Sequence, residues 1–388
     1  MYTGGAASCR LRTLFAANSD IELDKLGAAV QKVLSDGAPL PVQLMAARGV
    51  IPGAKPHEIV IAISVLAGRE DEKLRETART ALGKLPPPIL TGALSADLPG
   101  SVIFQLASLY ATNHEVIEHL LRMPRISGEA LESLAAGADE RAGELIATNE
   151  QLMLKYPTVI EKLYMNKRVR MSTADRLIEL CVRNNIELSI PAFKEAVLAI
   201  KNELIPEPSE EPTFDDVLFK ETQEAAAKLA LGDDEDTHEV DDEGQEQVKA
   251  KVVPLYARMA EMTVSQKVRC ATLGTAAERL LCVRDPNRLV AAAAAKSPLL
   301  KEPEAVQISA SRAVSEDVLR LLAMNKDFTR NYQIKLNLVS NPRTPFTFAA
   351  RLVPMLRESE LKMLSKSKNV TGAISTSVRQ QLAKKANK

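Results

Sequence analysis

The sequence contains no tryptophan, and phenylalanine and tyrosine together make up only 4% of its 388 residues. Sandwiches and barrels of β-strands usually draw on aromatic and β-branched side chains and on closely spaced turn residues, so this shortage argues against a strand-rich fold. The apolar share is nevertheless 46%, supplied mainly by alanine, leucine, valine and isoleucine. That composition favours packed helices. We therefore expect an all-α protein, long enough for two or three domains that each bury a core.

The sequence is also poor in the motifs that bind metals or carry out catalysis. Its four cysteines form no Cys-x-x-Cys pair, its four histidines form no His-Glu-x-x-His motif, and it has neither a glycine-rich phosphate loop nor a Gly-x-Ser-x-Gly elbow. His114 and His119 are five residues apart, which on a helix places them about 140° apart around the axis, unsuited to sharing a metal. The sequence therefore predicts a protein that is not an enzyme, with no catalytic residues, cofactor or metal.

Long apolar runs are missing as well. No stretch approaches the roughly 20 apolar residues of a membrane-spanning helix. The first eight residues lack the basic start and the apolar core of a secretory leader. Cysteines without a disulfide-like spacing fit a reducing compartment. Together these absences predict a cytoplasmic protein without a membrane span.

The net charge is zero, but the charges are sorted along the chain. Residues 1–206 carry 23 Lys and Arg against 24 Asp and Glu, residues 207–246 carry 2 against 16, and residues 247–388 carry 25 against 10. Such sorting favours two folded parts joined by a solvated acidic segment. The predicted organisation is an N-terminal helical domain over 1–206, an acidic linker over 207–246 and a basic C-terminal helical domain over 247–388.

Recurring apolar patterns indicate internal repeats. The run Val116-Ile117-Glu118 recurs as Val159-Ile160-Glu161, 43 residues later, and Leu131 and Leu134 recur at an offset of 46. An offset of this size matches a repeat of two or three helices, as in HEAT or armadillo arrays. The pattern predicts that both domains are HEAT-like, solenoid-like arrays of helices.

The acidic segment has a composition of its own. Prolines open it and dense runs of Asp and Glu close it, which is typical of disorder. Within it, a helix from about Thr213 to Ala230 would place apolar residues on one face. Two interpretations stay open: a transient helix in a disordered linker, and a docking helix that binds a groove on a partner or on this protein. The candidate docking residues are Phe214, Val217, Leu218 and Leu229.

The basic C-terminal part interleaves cations with aromatic residues. Nucleic-acid grooves combine Lys and Arg for phosphates with rings on which bases stack, so this pattern is a candidate nucleic-acid or partner surface. The alternative is that the rings belong to the core and the cations to a solvated helix face. The candidate residues are Lys326, Phe328, Arg330, Tyr332, Lys335, Arg343 and Arg351.

Several stretches resemble a known group of proteins. The run Arg170–Leu180 is similar to a segment of certain bacterial helical proteins of unknown function, and Met262–Val268, Arg284–Val290 and Asn341–Pro345 are similar to the C-terminal half of the same group. These proteins resemble HEAT-like and leucine-rich-repeat-variant arrays, and the resemblance covers most of the chain outside the acidic segment. It implies an all-α repeat fold and a bacterial, cytoplasmic setting, and it brings no activity and no functional residue.

Helical repeats without catalytic motifs predict a non-enzymatic scaffold or adaptor that offers repeat surfaces to protein partners. The alternative is a nucleic-acid-binding protein that uses residues 247–388, with the acidic linker competing in cis for the basic surface. Association of copies through the ends of the repeats is a third hypothesis, and the sequence does not predict the oligomeric state.

Overall fold

The computed structural model describes residues 20–386 apart from residues 36, 202, 230, 233–234 and 368–369. The first eight residues, where no leader is expected, and Asp233-Asp234 of the acidic segment lie outside the described residues. The all-α prediction is confirmed: in the described part, regular structure is almost entirely helical, and the sheet found there has two strands. Within the same ranges, no helix is both long enough and apolar enough to cross a membrane.

Contacts between residues divide the chain into two compact units, Met1–Leu177 and Ile178–Lys388. The predicted domain boundaries at residues 206 and 246 stay predictions, because a division by contacts does not show which parts fold alone. In the described part of the first unit, a 3₁₀-helix, Leu23–Lys25, comes first along the chain. Its α-helices are α1 Ala28–Leu34, α2 Leu40–Ala47, α3 Pro56–Leu66, α4 Glu72–Leu82, α5 Pro87–Leu94, α6 Gly100–Leu109, α7 His114–Leu121, α8 Gly128–Gly137, α9 Glu140–Ala147, α10 Glu150–Lys155 and α11 Pro157–Met165.

Helix α12, Met171–Arg183, contains the division. The second unit continues with α13 Phe193–Ile200, α14 Phe214–Lys228, the strands β1 His238–Val240 and β2 Glu246–Val248, and ten further helices. These are α15 Val253–Glu261, α16 Val264–Leu273, α17 Ala276–Cys282, α18 Arg288–Ala295, α19 Glu302–Ala310, α20 Glu316–Met324, α21 Tyr332–Ser340, α22 Phe346–Leu352, α23 Glu358–Lys366 and α24 Gly372–Ala386, with 3₁₀-helices at Phe328–Arg330 and Val353–Met355.

Within each unit, many helices pack on the helix two places further along the chain. In the first unit α2 packs on α4, α3 on α5, α6 on α8 and α7 on α9, and in the second α16 packs on α18, α18 on α20 and α19 on α21. Each helix buries a stripe of alanine and branched aliphatic side chains against these neighbours. This alternation is the general arrangement of a helical-repeat array.

The packing unit is shorter than the predicted offset of 43 to 46 residues. Helices α16, α18, α20 and α22 begin 24, 28 and 30 residues apart. The runs matched at an offset of 43 lie on α7 and α11, with three helices between them. The helices of such an array carry similar amphipathic stripes. The sequence match at an offset of 43 residues therefore reflects this shared stripe and does not give the length of the packing unit.

Polar N-caps fix many of the helix starts. Ser127 accepts a hydrogen bond from a backbone N–H in the first turn of α8. Thr263 and Thr275 form reciprocal capping boxes with Gln266 and Glu278 at the starts of α16 and α17. These caps allow helices of only seven to ten residues to begin at fixed positions.

The described residues of the acidic segment differ from the predicted disorder. Helix α14 covers most of the predicted helix and packs on α15 and α16. Strands β1 and β2 form an antiparallel hairpin that pairs His238 with Val248 and Val240 with Glu246. Composition reveals that the acidic side chains of the segment repel one another. It does not reveal which cations elsewhere in the fold pair with them. Here Arg258 of α15 pairs with Glu221, and Arg284, in the turn after α17, pairs with Asp236 and Glu246.

Candidate functional site

The predicted nucleic-acid surface lies on consecutive elements of the second unit. Phe328 and Arg330 are in the 3₁₀-helix before α21, Tyr332 and Lys335 are on α21, and Arg351 is on α22. Lys326 and Arg343 occupy the turns beside these helices. The contacts of each side chain show which of them are available to a partner.

Tyr332 links α21 to the start of α23. Its hydroxyl accepts a hydrogen bond from the backbone N–H of Arg357 at 2.8 Å and donates one to the carboxylate of Glu360. The Arg357 guanidinium lies 4.8 Å from the centre of the ring. One face of the ring is therefore occupied by a cation of the same chain, and a stacked base would have to compete for that face.

Arg343 also serves packing. Its Nη1 donates to the carbonyl oxygen of Ala313 at 3.0 Å, and its backbone N–H donates to Oδ1 of Asn341 at 3.0 Å. Nδ2 of Asn341 donates to the carbonyl oxygens of Ser309 and Ser311 at 3.0 and 2.7 Å. Together the two side chains supply donors to carbonyl groups in the last turn of α19 and just beyond its end, where helical partners are lacking.

The first unit repeats this arrangement. Nδ2 of Asn166 donates to the carbonyl oxygens of Ala135 and Ala138 at 2.9 and 2.8 Å, and Arg168 donates to that of Gly137 at 2.8 Å. As in the second unit, the backbone N–H of the arginine, here Arg168, donates to Oδ1 of the asparagine, here Asn166, at 3.0 Å. The shared Asn-x-Arg sequence therefore joins neighbouring helix ends in both units. This recurrence is visible in the sequence and identifies Arg343 as a packing residue.

The other five candidates have fewer contacts. Arg330 pairs with Asp327 at 3.2 Å, with both side chains exposed, and the Arg351 guanidinium lies 5.8 Å from the ring centre of Phe348. Lys326 is exposed, whereas Lys335 and Phe328 are half-buried. The structure thus keeps cations on this part of the surface but does not bring them together around an open aromatic platform.

The four candidate docking residues on and beside α14 are placed differently from one another. Leu218 is buried, Leu229 is half-buried, and Phe214 and Val217 are 74% and 42% exposed. The buried face of the helix instead includes Phe219, whose ring lies 5.1 Å from the guanidinium carbon of the buried Arg269 of α16. The helix is therefore packed on its own chain. Its buried residues are Asp216, Leu218, Phe219, Thr222 and Ala226.

A polar site in the second unit surrounds the carboxylate of Glu246, the first residue of β2. The Ser311 hydroxyl donates to this carboxylate at 2.7 Å, and the backbone N–H groups of Arg312 and Ala313 donate to its Oε1 at 2.7 and 3.2 Å. Nε of Arg284 donates to its Oε2 at 2.9 Å. A hydroxyl, two successive N–H groups and a guanidinium make a site for an anion. We call the Ser311–Ala313 turn together with Arg284 the carboxylate cradle.

Arg284 also joins the cradle to the residues that precede β1. Its Nη2 donates to Oδ2 of Asp236 at 2.8 Å, and its Nη1 donates to the carbonyl oxygen of Leu280 at 3.1 Å. The Arg284 side chain is only 5% exposed and that of Glu246 only 11%. Two carboxylates from the acidic segment therefore converge on one shielded guanidinium.

Burial and charge set the protonation of this site. Burial alone would raise the pKa of Glu246, but the Ser311 hydroxyl and the Arg284 guanidinium bring it below the ordinary value of 4.5. His238, which precedes Glu239 on β1, faces the same charges. Burial and the nearby Arg284 lower the pKa of His238 from 6.5 to about 4, against the opposing effect of Asp236 and Glu246. At neutral pH the docked hairpin therefore has an ionised Glu246 and a neutral His238.

Acidification should therefore release the hairpin. Between pH 6.5 and 4 a detached His238 binds a proton that the docked one does not, and below pH 4.5 a detached Glu246 is protonated before the docked one. Both effects favour the detached state as the pH falls. Hydrogen-exchange protection factors of residues 238–248 should fall from pH 7 to pH 4. In a His238→Gln variant the loss should begin only near pH 4.5, and an unchanged onset would contradict this assignment.

Sequence reasoning missed Glu246, Arg284 and Ser311 as a group because the Glu246–Ser311 hydrogen bonds span 65 residues. A local signal was nevertheless present, since Ser311-Arg312-Ala313 forms a short polar turn between two helices, where backbone N–H groups are free to meet an anion.

The thiols of Cys270 and Cys282 lie in the core. Burial mainly, and the nearby Glu278 in addition, raise the pKa of both thiols well above the ordinary value. In the described ranges, no group of three or more His, Cys, Asp or Glu side chains is arranged to hold a metal ion. The expectation that the protein is not an enzyme stays a prediction.

Comparison with known proteins adds no relative: no family model, no curated protein and no solved structure matches the chain.

Proposed function

We propose that the protein is a non-enzymatic, cytoplasmic interaction scaffold that binds protein segments on helical-repeat surfaces. One observation carries this proposal: the second unit already holds a segment of its own chain in this way. The hairpin of residues 238–248 lies against the turns that follow α17 and α19, where Arg284 and Ser311 bind its carboxylates. A repeat surface that binds one peptide segment through side chains and turn N–H groups has the chemistry to bind another.

Exposed apolar side chains toward the C-terminal end of the second unit support the same function. Four large ones lie on α20, on α22, on the 3₁₀-helix after it and on α23, each at least 49% exposed. Methionine is unbranched and polarizable, so it adapts to differently shaped partners. The four residues are Met324, Phe346, Met355 and Met363.

Nucleic-acid binding is the second candidate function. The excess of 25 Lys and Arg over 10 Asp and Glu in residues 247–388 favours it. The pairing of Asp236 and Glu246 with Arg284 is also what an acidic segment competing in cis would do. The internal contacts of Tyr332 and Arg343 weigh against it, because they occupy a ring and a guanidinium that such a surface would use.

Affinity capture of the tagged full chain from its native cytoplasm, with and without nuclease, tests the scaffold function. We expect defined protein partners that persist after nuclease treatment. Partners that vanish with nuclease would instead favour the nucleic-acid function. Binding to duplex DNA should then fall with salt at a log–log slope near −0.9 per neutralised phosphate.

A further inference from the structure

We propose that the carboxylate cradle, Ser311–Ala313 with Arg284, is the binding site for an acidic peptide segment of a partner, and that Glu246 occupies this site in cis. The proposal rests on the scaffold function and names the chemistry of its ligand. Two features of the structure support it: how the cradle is built and how the hairpin is attached.

The cradle is complete for one carboxylate. Both oxygens of Glu246 accept hydrogen bonds, from the Ser311 hydroxyl, from two backbone N–H groups and from Arg284. The donors belong to Ser311, which is only 6% exposed, and to the turn between α19 and α20, so helices on either side position them. Charge-assisted hydrogen bonds of this kind bind a carboxylate in preference to a neutral amide.

A second carboxylate identifies the ligand as an acidic peptide and not a lone anion. Asp236, two residues before β1, accepts a hydrogen bond from a second nitrogen of the Arg284 guanidinium, Nη2, at 2.8 Å. Asp236 precedes β1 and Glu246 begins β2, so the same guanidinium binds one carboxylate from each arm of the hairpin segment. A partner segment that brings two carboxylates close together can reproduce both contacts.

The hairpin is attached by few contacts. A two-stranded hairpin is marginally stable by itself, so its position depends on what anchors it. The outward residues Glu239, Val240 and Gln247 are exposed, with Val240 at 68%. Apart from the buried Thr237, the anchoring contacts are concentrated in Asp236 and Glu246. A competitor for Arg284 and Ser311 would therefore displace the hairpin.

The test uses the full chain and a labelled synthetic peptide of residues 235–250, followed by fluorescence anisotropy. The Glu246→Ala chain should bind this peptide at least about tenfold more tightly than the wild-type chain, because its cradle is vacated. A peptide carrying Glu246→Gln should lose this gain. Adding Arg284→Met to the Glu246→Ala chain should abolish binding. The matched control is Glu239→Ala, an exposed glutamate on the same hairpin that should behave as the wild type.

Hydrogen exchange guards against misfolding of the variants. In the Glu246→Ala chain, and in the milder Glu246→Gln chain, residues 238–248 should lose protection while α19 and α20 keep theirs. Equal peptide affinity for the wild-type and Glu246→Ala chains would overturn the proposal. The proposal would also be overturned if Glu246→Ala raised the affinity for a short oligonucleotide as much as it raised the affinity for the peptide. The cradle would then be a general anion site. Either failure leaves nuclease-resistant partners detectable, so it is distinguishable from failure of the scaffold function.

Discussion

Replacing Arg279 by methionine should lower the free energy of unfolding of the second unit by about 3–5 kcal/mol, the usual cost of breaking a buried ion pair on one side. Nε and Nη2 of Arg279 donate to the two carboxylate oxygens of Glu304 at 2.8 and 2.7 Å. The two side chains are only 4% and 2% exposed. Urea unfolding followed by far-UV circular dichroism would measure the loss, as an earlier transition of the variant.

The expected loss comes from leaving the Glu304 charge buried without its partner. The double variant Arg279→Met with Glu304→Leu removes both charges and should recover much of the stability, because apolar side chains of similar volume replace the pair. The exposed pair Lys362–Glu358 is the matched control, and Lys362→Met should leave the free energy of unfolding almost unchanged. A double variant as unstable as Arg279→Met would show that Arg279 acts through its other bond, from Nη1 to the carbonyl oxygen of Gly274 at 2.6 Å.

This ion pair illustrates what the sequence could and could not predict. Composition and apolar periodicity predict helices, because both depend on the properties of single residues and of short stretches. Arg279 and Glu304 lie on neighbouring helices of the array, 25 residues apart. Which charged residues are buried together depends on how the helices pack. A sequence with 50 Lys and Arg and 50 Asp and Glu offers too many pairings to choose among.

The prediction of the nucleic-acid surface was incomplete for the same reason, because the sequence does not show how the helices pack. The sequence correctly indicated a concentration of cations after residue 247, which is a property of composition. It did not reveal that Arg357 covers Tyr332 or that Arg343 donates to the carbonyl oxygen of Ala313 after α19, since these contacts join residues 25 and 30 positions apart. The recurrence of Asn-x-Arg at 166–168 and 341–343 was the local signal that Arg343 binds backbone carbonyl groups.

Helix α14 shows how a one-residue difference in register changes a functional interpretation. The predicted apolar face contained Phe214 and Val217, which the structure leaves exposed, and it omitted Phe219, which is 2% exposed. Both choices place apolar residues at helical spacing, so periodicity alone does not distinguish them. The buried face is the one that packs on the following helices, where the Phe219 ring lies against the guanidinium of Arg269 of α16.

Replacing Phe219 by alanine should therefore destabilise the second unit by about 3–5 kcal/mol, the range for removing a buried aromatic side chain. The ring fills space against α16 and covers the guanidinium of Arg269 at 5.1 Å, so its loss removes packing and a cation–π contact. Urea unfolding of the full chain would measure the change, and hydrogen exchange of α14 would locate it.

Phe214→Ala is the matched control, because it removes the same ring from the same helix at a position that is 74% exposed. It should change the free energy of unfolding by no more than about 0.5 kcal/mol. A large effect of Phe219 with a small effect of Phe214 would establish α14 as part of the folded core of the second unit. Equal and small effects would mean that α14 contributes little to this core in solution, as in the transient helix that the acidic composition favours, and that Phe219 leaves its place against Arg269 at little cost.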